Sequence, residues 1–99
     1  MSTGILPQMI DVERNDDLSR YEGRIDGELI TVVNYVRRGN VLDITHTRTR
    51  IRWRGRGMAG KVTAAALEDI RAQGWRVHPI CPFTVSFLDQ HPEYAQLRV

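Results

Sequence analysis

The stretch Arg54-Gly55-Arg56-Gly57-Met58-Ala59 decides the fold, because a strand-like run precedes it and a helix-like run follows it. Glycines at such a junction expose several backbone N–H groups in one concave loop, and the helix adds the positive end of its dipole. The two arginines add side-chain donors suited to phosphate oxygens. The loop therefore predicts a phosphate or pyrophosphate site, although a tight turn carrying two solvated arginines explains the same residues.

Four strand-like segments precede this loop, at residues 9–14, 20–25, 28–37 and 41–49. Gly23 weakens the second of them, and Asp26-Gly27 is a strong two-residue hairpin signal. The third segment is β-branched and apolar on both faces, which favours a central position in a sheet. Because only short turns separate the segments, they predict an antiparallel meander.

The pattern after the loop changes to a helical period over residues 58–73, with apolar residues on one face and Gly74 as the stop. A fifth strand is predicted over 75–80, and it should pair parallel to the fourth because a helix connects the two. Pro82 suits the first turn of a second helix over 82–90, and Pro92 ends it. The tail at 93–99 is short and allows an edge strand.

Length and composition fit one domain over residues 1–99, of which residues 1–8 are expected to be a flexible lead-in. The fold class is therefore α/β (α+β): a mostly antiparallel sheet of about five strands, one long helix and a short C-terminal helix. We find no apolar run of membrane-spanning length, no signal peptide and no metal-ligand spacing. A single cysteine suits a reducing compartment, so the cytoplasm is expected.

The net charge is only +2, but arginine recurs at every second position from Arg48 to Arg56. On a strand this spacing would place the guanidinium groups in one row on one face. Such a row suits a polyanion, either nucleic acid or a phosphorylated cofactor. A solvated strand edge, where charge discourages aggregation, explains the row as well.

Cys81 and His46 are the candidate reactive side chains. Cys81 directly precedes Pro82 and the second helix, and a thiol at a helix N-terminus can have a lowered pKa. His46 lies a little before the end of the fourth strand and could act as a base. A small buried cysteine and an ordinary strand histidine remain the alternatives.

Four blocks of sequence resemble the small, single-domain subgroup of the GCN5-related N-acetyltransferase superfamily. The glycine loop fits that superfamily's Arg/Gln-x-x-Gly-x-Gly/Ala signature. The other blocks are Arg20-Tyr21-Glu22 with Asp26-Gly27, then His46-Thr47, and finally residues 77–83 followed by His91-Pro92-Glu93-Tyr94. They occur in the expected order and span most of the chain.

The resemblance implies an enzyme that transfers an acetyl group from acetyl-CoA to an amine acceptor. The pyrophosphate would lie on the glycine loop, and the pantetheine arm in a gap between the fourth and fifth strands. The implied CoA-binding residues are Thr47, Thr49, Arg54, Gly55, Arg56, Gly57, Met58 and Ala59. Cys81 and His46 would lie at the acetyl group, with direct transfer favoured over an acetyl-cysteine route. A CoA-binding module without efficient catalysis, or a basic nucleic-acid-binding domain, is the alternative.

The chain departs from its relatives in two ways that concern the acceptor. Arg48 and Thr49 stand where relatives often have an acidic and then an apolar residue, so a strongly cationic acceptor would be repelled. The chain also has no room for the helices that relatives carry between their first strands. Its acceptor site should therefore be open, or completed by another subunit of an oligomer.

Overall fold

The computed structural model describes residues 9–99, and the flexible lead-in expected at residues 1–8 lies outside them. A five-stranded sheet has the order β1-β2-β3-β4-β5. Its strands are β1 (Asp11–Asn15), β2 (Arg20–Ile25), β3 (Glu28–Arg38), β4 (Val41–Thr49) and β5 (Arg76–Pro79). The first four pair antiparallel and β5 pairs parallel to β4, so the predicted fold class is confirmed.

Two helices follow the strands as predicted: α1 (Met58–Gln73) and α2 (Pro82–Gln90). Short 3-10 turns occupy Ile51–Trp53 and Pro92–Leu97. The edge strand that the tail allows does not form, because the tail coils through the second of these turns. Only a single bridge, between Arg98 and Val77, joins this tail to β5.

Helix α1 packs against the sheet through a stripe of buried residues that includes Val62, Ala66 and Ile70, which are 0–2% exposed. Gly23 on β2 lies under this stripe, and a Cβ built there would be 2.5 Å from Val62 Cγ2. Glycine in a strand interior often marks such a close approach. Gly23 thus allows α1 to lie close to β2. From the sequence pattern alone, this glycine is interpreted only as a residue that weakens the strand.

The pairing of β4 changes abruptly at its middle. Its register with β3 runs from Tyr35↔Ile44 to Asn34↔His46, which leaves Thr45 as an extra residue in a β-bulge. Pairing between β4 and β5 also stops at Ile44, whose carbonyl accepts from both Ile80 N (3.0 Å) and Cys81 N (2.9 Å). Residues 45–49 of β4 therefore continue without a β5 partner, and the parallel pair opens into a gap.

The two faces of the sheet are differently covered. Both helices and the tail bury side chains in one cluster with Tyr21, Val33 and Leu42, on the face we call the helical face. Strand alternation places Arg20, Glu22, Val32, Asn34, His46 and Arg48 on the opposite face. We call this the open face, because within residues 9–99 neither helix packs on it.

Candidate functional site

A cleft of about 570 Å³ lies where β4 ends, the glycine loop turns and α1 begins. Most of its lining comes from two contiguous stretches of chain, the end of β4 and the glycine loop. The lining residues are Thr47, Arg48, Thr49, Trp53, Arg54, Gly55, Gly57, Met58, Ala59, Gly60 and Phe83. Seven of the eight predicted CoA-binding residues are among them. Arg56 is the exception, since it lies over the Trp53 ring at 5.2 Å from the centroid.

The glycine loop has the geometry of an anion cradle. Gly55 and Gly57 have φ values of +77° and +76°, and no atom lies within 4 Å of a Cβ built on either. Gly57 is the N-cap of α1, and no side chain caps this helix. The first helical hydrogen bond runs from Lys61 N to Gly57 O (3.1 Å), so the N–H groups of residues 58–60 have no helical acceptor. These donors, at the positive end of the helix dipole, suit a phosphate.

Two side chains around the loop bear on ligand binding. The Arg54 guanidinium donates to the Thr49 carbonyl (3.1 Å), which holds it beside the loop with other N–H groups still available. Trp53 Nε1 is buried and has no acceptor within residues 9–99. Trp53 itself lines the cleft, but this N–H is shielded from it and would need a local rearrangement to donate to a ligand. The remaining donors, the loop N–H groups and Arg54, fit the pyrophosphate of CoA.

Cys81 lies at the other end of the gap, as the N-cap of α2. The side chain is 6% exposed, and its thiol donates to Thr47 Oγ1 at a distance of 3.6 Å. Desolvation alone would raise the pKa of the thiol. The pKa is nevertheless lowered, because Thr47, the backbone N–H groups of Thr84 and Phe83, and the Thr84 hydroxyl favour the thiolate.

The Thr84 hydroxyl makes the surroundings of Cys81 more polar than those of an ordinary buried cysteine. It is fully buried and has no hydrogen-bond partner among the residues that the structure describes. It is therefore available to donate when the thiol ionises. An ordinary buried, apolar cysteine would explain where Cys81 lies. It would not explain the polar groups that surround the thiol.

His46 is exposed on β4, and its neighbour Thr47 points to the helical face. Strand alternation therefore puts the imidazole on the open face. No hydrogen bond joins the two predicted catalytic residues, His46 and Cys81, in the described part of the chain. They flank the opening of the sheet from opposite faces, and their catalytic roles stay predictions.

The predicted row of arginines on one strand face is wrong. Strand β4 ends at Thr49, and residues 51–53 form a 3-10 turn. Arg50 Nε donates to the Leu29 carbonyl, and Arg52 pairs with Glu28. The guanidinium groups thus point to different partners and do not form the single strand row on which the nucleic-acid alternative was based.

Four residues of the cleft were not among the predicted CoA-binding residues: Arg48, Trp53, Gly60 and Phe83. Phe83 directly follows the Cys81-Pro82 helix start, and Trp53 directly precedes the glycine loop. Their positions beside predicted site residues were the only available signal. Their contribution to the cleft depends on tertiary packing.

Two features of the described residues bear on metal binding and on membrane insertion. No group of three or more His, Cys, Asp or Glu side chains within residues 9–99 could hold a metal ion. None of the helices formed by these residues is both long and apolar enough to cross a membrane.

Together, the mixed sheet that opens between β4 and β5 and the uncapped glycine loop at the start of α1 define an N-acetyltransferase type of fold. Residues 20–97 match a family model described as GCN5-related N-acetyl-transferase. The chain belongs to this family, as its sequence blocks predicted.

A structural comparison supports the same fold. The solution structure of a "GCN5-like putative N-acetyltransferase" from Staphylococcus aureus is similar, with a TM-score of 0.64. The match covers 90% of this chain and 87% of that chain, at 16% sequence identity. At this identity the likeness concerns the fold alone. A search of curated proteins found no match.

Proposed function

We propose that this chain is a single-domain, acetyl-CoA-dependent N-acetyltransferase that transfers acetyl to an amine acceptor. The observation that carries the proposal is one continuous cleft that joins uncapped helical N–H groups to the part of β4 that β5 leaves unpaired. The first feature suits a pyrophosphate, and the second suits an extended chain of amides. CoA contains both groups, joined in that order.

The two ends of the cleft would bind different parts of CoA. The N–H groups of residues 58–60 and the Arg54 guanidinium would hold the pyrophosphate. The backbone of β4 at Thr47 and Thr49 would pair with the pantetheine amides, as an added strand would. Gly55 and Gly57 leave the space in which the backbone and the phosphates can approach each other.

The acyl end of the ligand would lie near the Thr47–Cys81 pair. Acetyl-CoA supplies an activated acyl carbon at its thioester. For direct transfer, which we favour, the amine approaches from the open face, where no helix of the described chain stands in its way. His46 on that face would accept the proton that the amine loses. In this route Cys81 lines the acyl pocket.

A covalent route through Cys81 is the second candidate mechanism. It is favoured by the lowered pKa of the thiol and by the polar groups that stabilise its thiolate. A CoA-binding module without efficient turnover is the second candidate function. The observation that favours it is the open face itself, since the described residues build no acceptor wall on it.

Calorimetric titration with CoA and acetyl-CoA, followed by intact mass spectrometry of the acetyl-CoA mixture, tests these possibilities. Binding together with acetylation of an added amine supports the enzyme. A one-acetyl mass gain that Cys81→Ser abolishes supports the covalent route. Binding without any turnover leaves the binding module, and no binding at all overturns the proposal.

A further inference from the structure

A second cavity, of about 430 Å³, lies next to the cleft and is rich in arginine. Arg20, Arg48, Arg50 and Arg54 line it, together with apolar and threonine residues of β3 and β4 and Ile51 of the first 3-10 turn. No carboxylate is among its lining residues. In a protein whose formal net charge is only +2, four guanidinium groups around one cavity form a local concentration of positive charge.

Three of these arginines take part in no salt bridge within residues 9–99, although the pKa of Glu28 is lowered chiefly by Arg52 and also by Arg50, which lies close to that carboxyl. Arg20 pairs with Glu22 at 2.8 Å, as an ordinary structural ion pair. The other three are Arg48, Arg50 and Arg54. Arg50 and Arg54 are instead held by backbone carbonyls, of Leu29 and Thr49, so part of the cost of ordering them on ligand binding is already met. The cavity is therefore preorganised for an anion.

The cavity also adjoins the cleft in which acetyl-CoA is proposed to bind. Arg48 and Thr49 line both the cavity and the cleft, so the two spaces adjoin. His46 precedes Arg48 by two residues, and strand alternation puts both side chains on the open face. Residues two apart on a strand are separated by roughly 6.5–7 Å. This span matches a short linker of about four or five bonds.

We propose that the acetyl acceptor is a small primary amine that also carries an anionic group, either a carboxylate or a phosphate. Its amine lies at His46 beside the opening of the sheet, and its anion lies between Arg48 and Arg50, since Arg54 is assigned to the pyrophosphate. This inference rests on the proposed function and names its substrate class. The same charges disfavour polyamines and basic peptides by like-charge repulsion.

The transfer balances without an oxidant or a reductant. The ammonium form of the acceptor first loses one proton, to His46 or to water. The nitrogen lone pair then forms the N–C bond to the acetyl carbonyl carbon, and the C–S bond breaks with its electron pair going to the CoA sulfur. The second nitrogen proton goes to that thiolate through the solvent, which gives an N-acetyl amide and CoA thiol.

The test compares four amines with acetyl-CoA as donor, by measuring the release of CoA thiol. They are 4-aminobutyrate, 3-aminopropyl phosphate, neutral butylamine and cationic putrescine, which have linkers of similar length. The proposal expects kcat/KM to be at least about tenfold higher for the better anionic amine than for butylamine, and lowest for putrescine. The comparison of the first two amines decides between carboxylate and phosphate.

Three arginine variants test whether the cavity causes the preference for an anionic amine. In Arg48→Gln and in Arg50→Gln the ratio of kcat/KM between the better anionic amine and butylamine should fall toward one. In the matched charge control Arg98→Gln, whose exposed side chain pairs with Asp89, the ratio should stay at the wild-type value. The KM of the anionic amine, unlike that of butylamine, should rise between about 50 and 500 mM NaCl, because salt screens the attraction.

The outcomes separate this inference from the proposed function. Equal use of 4-aminobutyrate, 3-aminopropyl phosphate and butylamine, or a preference for putrescine, overturns the anionic acceptor while acetyl transfer itself stands. An anionic preference that survives both arginine variants also overturns it. If acetyl-CoA binds and none of the four amines is acetylated, the inference and the enzymatic function fall together.

Discussion

Replacing Gly57 by alanine tests whether the glycine loop holds a phosphate or is merely a turn. At φ +76° an L-residue pays a conformational cost, which we put at about 1 kcal/mol. A clash adds nothing, because no atom lies within 4 Å of the new Cβ position. Gly27 in the β2–β3 hairpin has the same environment, with φ +82° and open space, so Gly27→Ala is a matched control. Both variants should lose about 1 kcal/mol of unfolding free energy.

Only Gly57→Ala should weaken the binding of CoA. Its methyl group projects from the loop that lines the cleft, and would keep the pyrophosphate from the N–H groups of residues 58–60. A hydrogen bond to a charged group contributes about 1.5–3 kcal/mol. Loss of one such bond corresponds to an increase in Kd of roughly 10- to 150-fold. Valine is less informative at this position, because a β-branched residue at positive φ strains the loop even without a ligand.

Urea denaturation gives the two unfolding free energies, and calorimetric titration with CoA gives the two dissociation constants. The two variants should lose equal amounts of unfolding free energy, but only Gly57→Ala should lose affinity for CoA. If Gly57→Ala binds CoA as tightly as Gly27→Ala does, the loop is a turn and the pyrophosphate lies elsewhere. If both variants bind weakly, the loss comes from stability and says nothing in favour of a phosphate site.

Three further predictions concern the thiol, the packing and the acid limit. Thr47→Val should move the pH profile of Cys81 alkylation by iodoacetamide to higher pH, because the thiolate loses a hydroxyl donor; an unchanged profile would remove Thr47 from the site. Gly23→Ala should cost about 1–3 kcal/mol in urea denaturation through overpacking, and Val62→Ala in the same chain should recover part of it; additive losses would contradict the contact. Burial opposes the ionisation of Asp69, but hydrogen bonds from its neighbours lower its pKa below the ordinary 3.8. Its contribution to stability is therefore present above about pH 4 and lost as the pH falls through the lowered pKa, so Asp69→Asn should show a shallower decrease of Tm with acid than wild type.

The order of strands and helices was predictable because each element carries its own local signal. Asp26-Gly27 adopts positive φ at both positions, as a tight hairpin requires, and Gly57 and Gly74 bound α1 with the same conformation. The parallel pairing of β4 and β5 followed from the helical connection between them. None of these inferences needed knowledge of distant contacts.

The features that the sequence did not reveal all depend on contacts between distant residues. The Thr45 bulge is specified by how β3 and β5 pair with β4, and no turn residue marks it. The arginine row failed for a related reason. Alternation defines a strand face only where a neighbouring strand continues, and the β3–β4 pairing ends at Thr31↔Thr49.

The part of the candidate site that is contiguous in sequence was predictable. The part that is formed by residues distant in sequence was not. The glycine loop and its arginines form one block, so their joint role could be proposed from spacing. The contact between Thr47 and Cys81 joins residues 34 positions apart, and no periodicity signals it. The basic cavity on the open face likewise combines residues from three strands and a turn.

Strand β4 should determine which backbone amides around the cleft become exposed to solvent together. Its Ile44 carbonyl binds the amides of Ile80 and Cys81, its Thr47 hydroxyl binds the thiol, and its Thr49 carbonyl holds Arg54. Hydrogen bonds therefore attach both ends of the cleft to this one strand. In hydrogen exchange, the amides of Ile80 and Cys81 should become labelled together with those of β4, as one cooperative unit. The outer turns of α2 could exchange much faster without moving the thiol.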